Sequence, residues 1–312
     1  MKVFVTRPLP ERVLDALAEF AEIEVRQETT GLSASQMHAL MQKHEVILCT
    51  LGDLAQDFSG ALSCKLLANF GVGYNHIDVT AAAQAGIAVT NTPGAVTDAT
   101  ADIALTLILM TARRAGEGER MVRSGLWEGW HPTQLLGTHV TGKMLGVIGM
   151  GRIGQAIARR CHFGFGMEVV FYNRSPKPVD FPASQLDSLE DVCKHADIVT
   201  LSTPGGADTT HLIGAAELAA MKRDAFLINI SRGEVVDEAA LVAALKRGQI
   251  AGAGLDVYEF EPKVSPDLLA LQNVTLLPHL GTAALSVREE MGMMAVDNIR
   301  AYVQGAALIN LV

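Results

Sequence analysis

Cysteine, tryptophan and aromatic residues in general are scarce in this chain: four Cys, two Trp and 5% aromatics in 312 residues. Cys49, Cys64, Cys161 and Cys193 stand apart in apolar surroundings, without C-x-x-C spacing or a histidine cluster. That excludes a disulfide framework and a zinc-type pattern, so no metal is expected and the four read as buried thiols. Basic runs are missing too, and the formal net charge is −9. Affinity for nucleic acid rests on clustered Lys and Arg, so no nucleic-acid partner is expected. Repeats, low-complexity tracts and charge blocks are absent. No segment sustains the roughly 18 uncharged apolar residues of a membrane span; residues 103–112 come nearest, bracketed by Asp102 and Arg113-Arg114. The N-terminus, MKVFVTRPLP, has neither an apolar h-region nor a cleavage site. No membrane association is expected, and a cytoplasmic location follows.

What the chain has instead is Ala, Val, Leu and Ile, which dominate a hydrophobic content of 49%. Helices packed on parallel sheets need that composition, which favours an α/β fold. The length suggests two domains at about 150 residues each.

In the first part, apolar runs at residues 2–6, 23–26, 46–50, 66–70 and 87–91 read as strands. Helical spacing falls between several of them, as at 10–20 and from Ser33, a good N-cap, to 41. This alternation predicts a parallel sheet of about five strands. It carries no phosphate-binding glycine pattern. Residues 98–114 form a long helix, apolar nearly all round, with Asp98 as its expected N-cap. From 115 to 139 the chain reads as irregular, with five glycines interleaved with Trp127, Trp130 and Pro132. Loops of that length are usually functional or covered by a partner.

The second part opens on GKMLGVIGMGRIGQAIARR, in which Gly149-Met150-Gly151-Arg152-Ile153-Gly154 matches G-x-G-x-x-G. In a chain with 29 glycines the pattern alone says little. Its place between an apolar strand, 144–148, and a helical stretch, 153–162, gives it weight. Gly149 would permit the tight turn, Gly151 the approach of a pyrophosphate, and Gly154 close helix–strand packing, with the helix N-terminus facing the negative charge. Further strands are expected at 168–172, 198–202, 226–230, 252–257 and 274–277. Just past the last three stand Arg232, Glu261 and His279. In open parallel sheets ligands bind outside such strand ends. A guanidinium can grip a carboxylate, an imidazole can move a proton near neutral pH, and a carboxylate touching that imidazole favours its charged form.

LINISRGEVVD (227–237), GLDVYEFEP (254–262), Pro278-His279-Leu280-Gly281, the glycine fingerprint, ANFGVGYNHID (68–78) and Thr90-Asn91-Thr92-Pro93-Gly94 occur in one order along nearly the whole chain. Together they resemble the D-isomer-specific 2-hydroxyacid dehydrogenase family. The resemblance implies two Rossmann-like, doubly wound parallel-sheet domains with a cleft between them. Residues 1–97 and 283–312 would form a flavodoxin-like substrate domain, and 98–282 the dinucleotide-binding domain, with hinges near 95–98 and 282–284. It implies Arg232 as binder of substrate carboxylate and carbonyl, His279 as the acid/base, and Glu261 as its partner. Glu259 competes for that last role, but the family places the acid next to Pro262. Val72 and Gly73 would offer backbone N–H groups to the carboxylate. Cofactor contacts would come from Gly149, Gly151, Arg152, Ile153 and Gly154, from Thr203 and Pro204 past the next strand, and from Asp256, expected to shape the backbone rather than react.

The strand at 168–172 ends on Asn173, where an NAD enzyme places the carboxylate that binds the ribose 2′-hydroxyl. Arg174, Ser175 and Lys177 follow. A neutral amide beside a guanidinium can accept a 2′-phosphate, so NADP(H) is expected over NAD(H). RSGLWEGWHP (123–132) resembles the interdomain arm of the NADPH-dependent glyoxylate/hydroxypyruvate reductase branch. That resemblance implies a homodimer joined through residues 115–139, with Trp127 either touching the neighbouring substrate or anchoring the arm. The expected activity is NADPH-dependent reduction of a small 2-oxo acid, glyoxylate or hydroxypyruvate, to the D-2-hydroxy acid. Alternatives are another D-2-hydroxyacid dehydrogenase, for 3-phosphoglycerate or a larger 2-oxo acid, and a nucleotide-sensing corepressor-like module. The end of the chain soon after its last helix counts against the 3-phosphoglycerate reading, and the lack of appended tails against the corepressor-like module.

Overall fold

A computed structural model describes residues 1–312, which separate into two compact units, Met1–Val96 with Ala283–Val312, and Thr97–Thr282. No helix is long and apolar enough to cross a membrane.

The first unit begins β1 (Lys2–Val5), α1 (Glu11–Ala18), β2 (Glu22–Val25), α2 (Ala34–Met41), β3 (Val46–Thr50), β4 (Leu66–Phe70), α3 (Val79–Gln84) and β5 (Ala88–Thr90). The second contains α4 (Thr97–Ala112), α5 (Ala115–Arg123), β6 (Met144–Ile148), α6 (Arg152–Phe165), β7 (Glu168–Tyr172), β8 (Ser184–Gln185), α7 (Leu189–His195), β9 (Ile198–Leu201), α8 (Ala215–Ala220), β10 (Phe226–Asn229), α9 (Glu238–Lys246), β11 (Gly252–Leu255), α10 (Pro266–Ala270) and β12 (Val274–Leu276). The chain then re-enters the first unit as α11 (Leu285–Val303).

In the first unit the strand order is β2-β1-β3-β4-β5, all parallel. Strand side chains alternate between two layers. Phe4, Ile47, Cys49 and Leu67 pack with Met37 and Met41 of α2, whereas Val3, Val5, Leu48 and Leu66 pack with Leu17 of α1 and Val296 and Ile299 of α11. Both faces are covered, which is why β3 is a continuous apolar run. Each fully buried Leu or Ile here contributes about 1.5–3 kcal/mol. A Cβ at Gly292 would lie 2.2 Å from Val13 Cγ2, so α11 meets α1 only because that position is glycine. Ser33 caps α2 in a capping box with Gln36. The C-terminal tail lies antiparallel to β5 through the Thr90–Leu311 bridge and a 3.0 Å bond from Val312 N to Val89 O.

In the second unit the parallel order is β12-β11-β10-β9-β6-β7-β8. The strand order reverses between β6 and β9, the switch point at which dinucleotides bind in such sheets. Helices α4 and α6 cover one face (Leu107, Ile108, Ile157, Cys161) and α7 to α9 the other (Val192, Leu218, Leu241). All four cysteines are buried free thiols, and burial pushes Cys64, Cys161 and Cys193 up to about 12.

Three details differ from expectation. Residues 115–123 are helical, not irregular: Arg114 and Arg123 pair with Glu117 and Glu119 along α5, whose charged exterior and two glycines obscure the helical pattern. Asp98 does not cap α4; it lies inside the first turn and receives a 2.8 Å bond from Arg160. The strand β8 is two exposed residues long and has no apolar signature.

Candidate active site at the strand ends of the second unit

The glycine turn follows β6. Gly149 has φ +96°, and a Cβ there would come within 2.9 Å of Ser202 C and O and Thr203 N. Ser202 Oγ donates to Gly149 O at 2.6 Å, tying the turn to the end of β9. At Gly154 a Cβ would sit 2.2 Å from Gly149 O, so only glycine lets α6 start this close to the strand. Gly151 is different: a Cβ would meet nothing within 4 Å. It is the N-cap of α6 and provides no side-chain cap, so the first N–H groups of the helix, at Arg152 and Ile153, remain available to an anion. Next to the turn, Thr203 Oγ1 is buried without a hydrogen-bond partner. An open glycine, an uncapped helix start and an orphaned hydroxyl fit the pyrophosphate of a dinucleotide. Pro204, exposed, continues the same rim.

At the end of β7, Asn173 Nδ2 donates to Ser175 O at 3.0 Å, and Asn173 O accepts from Gln185 Nε2 at 3.2 Å. The turn is thus held by the amide itself. Arg174 reaches Asp208 at 3.4 Å, with side chains 75% and 85% exposed. An ion pair so open to water is worth about 0–1 kcal/mol, and a phosphate dianion can displace it.

Beyond β10, Asn229 Oδ1 accepts from Ser231 N and Oγ at 3.0 and 2.8 Å, and Asn229 Nδ2 donates to Arg232 O at 2.9 Å. This knot presents Arg232, half-buried, with Nη1 2.7 Å from Ser231 O. Burial pulls the guanidinium pKa down, against the charges of Glu234 and Glu261, but a guanidinium titrates so high that it stays charged.

Glu261 lies in the turn after β11 and His279 beyond β12. His279 Nδ1 and Glu261 Oε2 are 2.9 Å apart, and Tyr258 N donates to Glu261 Oε1 at 3.0 Å. Burial raises the Glu261 carboxyl, but the hydrogen bond and charge of His279, the Tyr258 amide and Arg232 together hold it below the usual carboxylate value. Glu261 is therefore the anion that interacts with both other members of the expected trio. Glu259 takes another partner, His211 Nε2 at 2.7 Å. Geometry separates the two candidate carboxylates.

The role of Asp256 was only partly visible in the sequence. His279 has φ +55°, a left-handed conformation costing about 1–2 kcal/mol in a non-glycine residue. Asp256, 1% exposed, accepts from Leu280 N at 2.6 Å and Gly281 N at 2.8 Å, and His279 N donates to Asp256 O at 2.9 Å. Those bonds offset the strain and aim the imidazole. Burial raises the Asp256 carboxyl, opposed by the two amides and His279. Tyr258 has no role expected from the sequence: its Oη donates to Leu277 O at 2.8 Å, tying the 256–262 turn to the end of β12.

In the first unit, Val72 and Gly73 follow β4. Asn69 Nδ2 donates to Gly71 O and Gly73 O at 3.0 and 3.1 Å, and Asn91 Nδ2 to Val72 O at 2.9 Å. The loop is held by its carbonyls, not by the two N–H groups. In the arm, Trp127 and Trp130 are 52% and 80% exposed, and Trp127 Nε1 donates to Gln134 Oε1 at 3.3 Å.

Residues 105–281 match the family model of the D-isomer specific 2-hydroxyacid dehydrogenase NAD-binding domain. A glyoxylate reductase of Thermococcus gammatolerans is 43% identical over 97% of this chain and 93% of its own, and that of Thermococcus litoralis 42% identical over 100% and 96%. Among solved structures, the NADPH-dependent glyoxylate/hydroxypyruvate reductase of Sinorhizobium meliloti, in complex with NADP and malonate, is 36% identical with a TM-score of 0.86, covering 100% of this chain and 96% of that one. A doubly wound fold with this glycine turn, three charged strand-end residues in the expected order and these relatives lead to one assignment: the chain belongs to the D-isomer-specific 2-hydroxyacid dehydrogenase family of NAD(P)-dependent oxidoreductases.

Proposed function

We propose that the protein reduces glyoxylate to glycolate, hydroxypyruvate to D-glycerate, or both, preferring NADPH, with Arg232, Glu261 and His279 as its catalytic residues. The observation that carries the reading is the 2.9 Å contact between His279 Nδ1 and Glu261. It commits Nδ1 to the carboxylate and leaves Nε2 as the nitrogen that gives a proton to the carbonyl oxygen. Arg232 binds the substrate carboxylate and polarises the carbonyl. When bound, NADPH supplies the hydride to the carbonyl carbon. As the alkoxide forms and takes the proton, Glu261 keeps the imidazole oriented. The substrate choice is supported by the glyoxylate reductases at 41–43% identity.

Cofactor preference rests on Asn173 and Arg174. A carboxylate at 173 would repel a 2′-phosphate, whereas Arg174 can exchange its weak tie to Asp208 for it. A charge-assisted hydrogen bond of about 1.5–3 kcal/mol corresponds to a roughly 10–100-fold preference in kcat/KM. Initial rates with NADPH and NADH against glyoxylate, hydroxypyruvate, phosphohydroxypyruvate and a larger aliphatic 2-oxo acid test both halves of the reading. The small 2-oxo acids with NADPH are expected to win. Asn173→Asp is expected to move the ratio toward NADH by about tenfold or more; preference for NADH in the wild type refutes the cofactor assignment.

The exposed apolar arm, with Leu126, Trp127, Trp130 and Leu136 at 52–80% exposure, supports a homodimer joined through residues 115–139. Light scattering is expected to give a dimer mass. Trp127→Ala is expected to raise KM for the 2-oxo acid in a protein that remains dimeric; unchanged KM and kcat would leave Trp127 only an anchoring part.

A further inference from the structure

Glu261 lies on a turn that faces solvent: the side chain of Glu261 is 32% exposed, and Phe260 before it 63%. Such a turn would be free to swing unless tied down, yet the proton chemistry needs its carboxylate on His279. The side chain that ties it is Glu259, itself only 15% exposed. One carboxylate oxygen meets His211 Nε2 at 2.7 Å, on the loop after β9, and the other accepts from Glu238 N at 3.2 Å, at the start of α9. Glu259 N in turn donates to Glu238 Oε2 at 3.3 Å. The His211 loop is itself pinned to the segment carrying Arg232, through His211 N to Glu234 O at 2.7 Å and Ile213 N to Val235 O at 3.0 Å. Gly233 lies flat against the turn, since a Cβ there would fall 1.8 Å from Tyr258 C.

Resting on the dehydrogenase reading of Glu261 and His279, we propose that Glu259 is a positioning residue, clamping the 258–262 turn between His211 and the start of α9 so that Glu261 meets His279. Two carboxylates two residues apart in sequence thus serve two different imidazoles with different tasks. Glu261–His279 is the reacting pair, and Glu259–His211 fixes where it sits. The groups that face the clamp are His211, Glu238 and Asp237. The hydrogen bond that His211 donates to Glu259 raises the His211 pKa against desolvation, with the charges of Glu259 and Asp237 adding to it. The ionic part of the clamp is therefore fully present below the ordinary imidazole value and lost as pH rises through the raised one. Glu238 takes part twice, its N–H donating to Glu259 and its carboxylate accepting from Glu259 N; burial pushes that carboxyl up, opposed by the Glu259 amide.

Glu259→Ala and Glu259→Gln, with His211→Ala cutting one tie only, test the clamp. Glu259→Ala is expected to lower kcat about tenfold, as a small misplacement of a catalytic group does, with the NADPH dissociation constant unchanged within twofold. The acid limb of the kcat/KM profile is expected to move to higher pH, because Glu261 loses the contacts that hold its carboxyl low. Amide exchange in the 256–263 segment, which needs no turnover, is expected to accelerate about tenfold. Glu259→Gln, keeping size and a hydrogen-bonding oxygen, is expected to recover most of each effect, and His211→Ala to fall between. Unaltered exchange, or an acid limb that stays in place in both Glu259→Ala and His211→Ala, overturns the clamp. A wild type that turns over no 2-oxo acid overturns the proposed function instead, while the exchange measurement still decides the clamp.

Discussion

Replacing His279 by alanine is expected to lower kcat for glyoxylate reduction by about 10²–10⁴-fold, the usual contribution of a positioned general acid. The substitution removes the only imidazole that Glu261 contacts at hydrogen-bonding distance, 2.9 Å. It leaves Asp256 on the amides of residues 280 and 281, so the backbone that carries position 279 keeps its ties. The NADPH dissociation constant, from nucleotide fluorescence, is therefore expected to hold while turnover collapses. Linkage gives a second readout. Glu261 is held low chiefly by His279, against burial. In the wild type this pair adds stability that is present above the ordinary carboxylate value and lost as pH falls through the depressed one. Without His279, burial acts with less opposition and the Glu261 carboxyl rises toward or past its unfolded value, so the variant is expected to be less stable than wild type at neutral pH and to lose less of its stability on acidification. A kcat within a few-fold of wild type would sink the role given to His279.

Arg232→Ala is expected to lower kcat/KM for the 2-oxo acid by roughly 10²–10³-fold, the range seen when a donor aimed at developing charge is removed. Both KM and kcat should suffer, because the guanidinium binds the carboxylate in the ground state and polarises the carbonyl in the transition state. Arg232→Lys keeps the charge but loses the planar fork, and is expected to recover only part. The rates discriminate this from a folding defect when thermal unfolding is followed alongside: the side chain is half-buried among Ser231, Glu234 and Glu261, and its loss also leaves two carboxylates without their cation. A variant with wild-type Tm and wild-type kcat/KM would remove Arg232 from the mechanism.

Much of the site was legible in the sequence because its parts are local. Gly149, Gly151 and Gly154 are spaced by the turn they make, and each glycine meets a different requirement: a positive φ, open space and close packing. Arg232, Glu261 and His279 follow apolar runs that the parallel sheet converts into strands ending on one edge. What was not legible has equally physical causes. The helix α5 is stabilised by charged pairs on an exposed surface and lacks an apolar stripe. Asp98 has the chemistry of a cap, but Arg160 takes its carboxylate inside the first turn. Nothing in GLDVYEFEP says that Asp256 holds the amides beyond His279, since that needs β11 and β12 to be neighbours.

The sequence by itself determined the α/β class, the glycine turn, the order of strands along the chain and the placing of three charged candidates just past strand ends, because periodicity and turn chemistry act between near neighbours. The pairing of Glu261 with His279 came from the family resemblance, and only the tertiary structure gave the contact itself and found a partner for Glu259. Glu259 and Glu261 are chemically alike and two residues apart, yet one finds His211, 48 positions away, and the other His279, 18 positions away. It also decided that His279 is held left-handed by a buried aspartate. Those choices depend on how parallel strands line up across the sheet, and that register is set by the whole core.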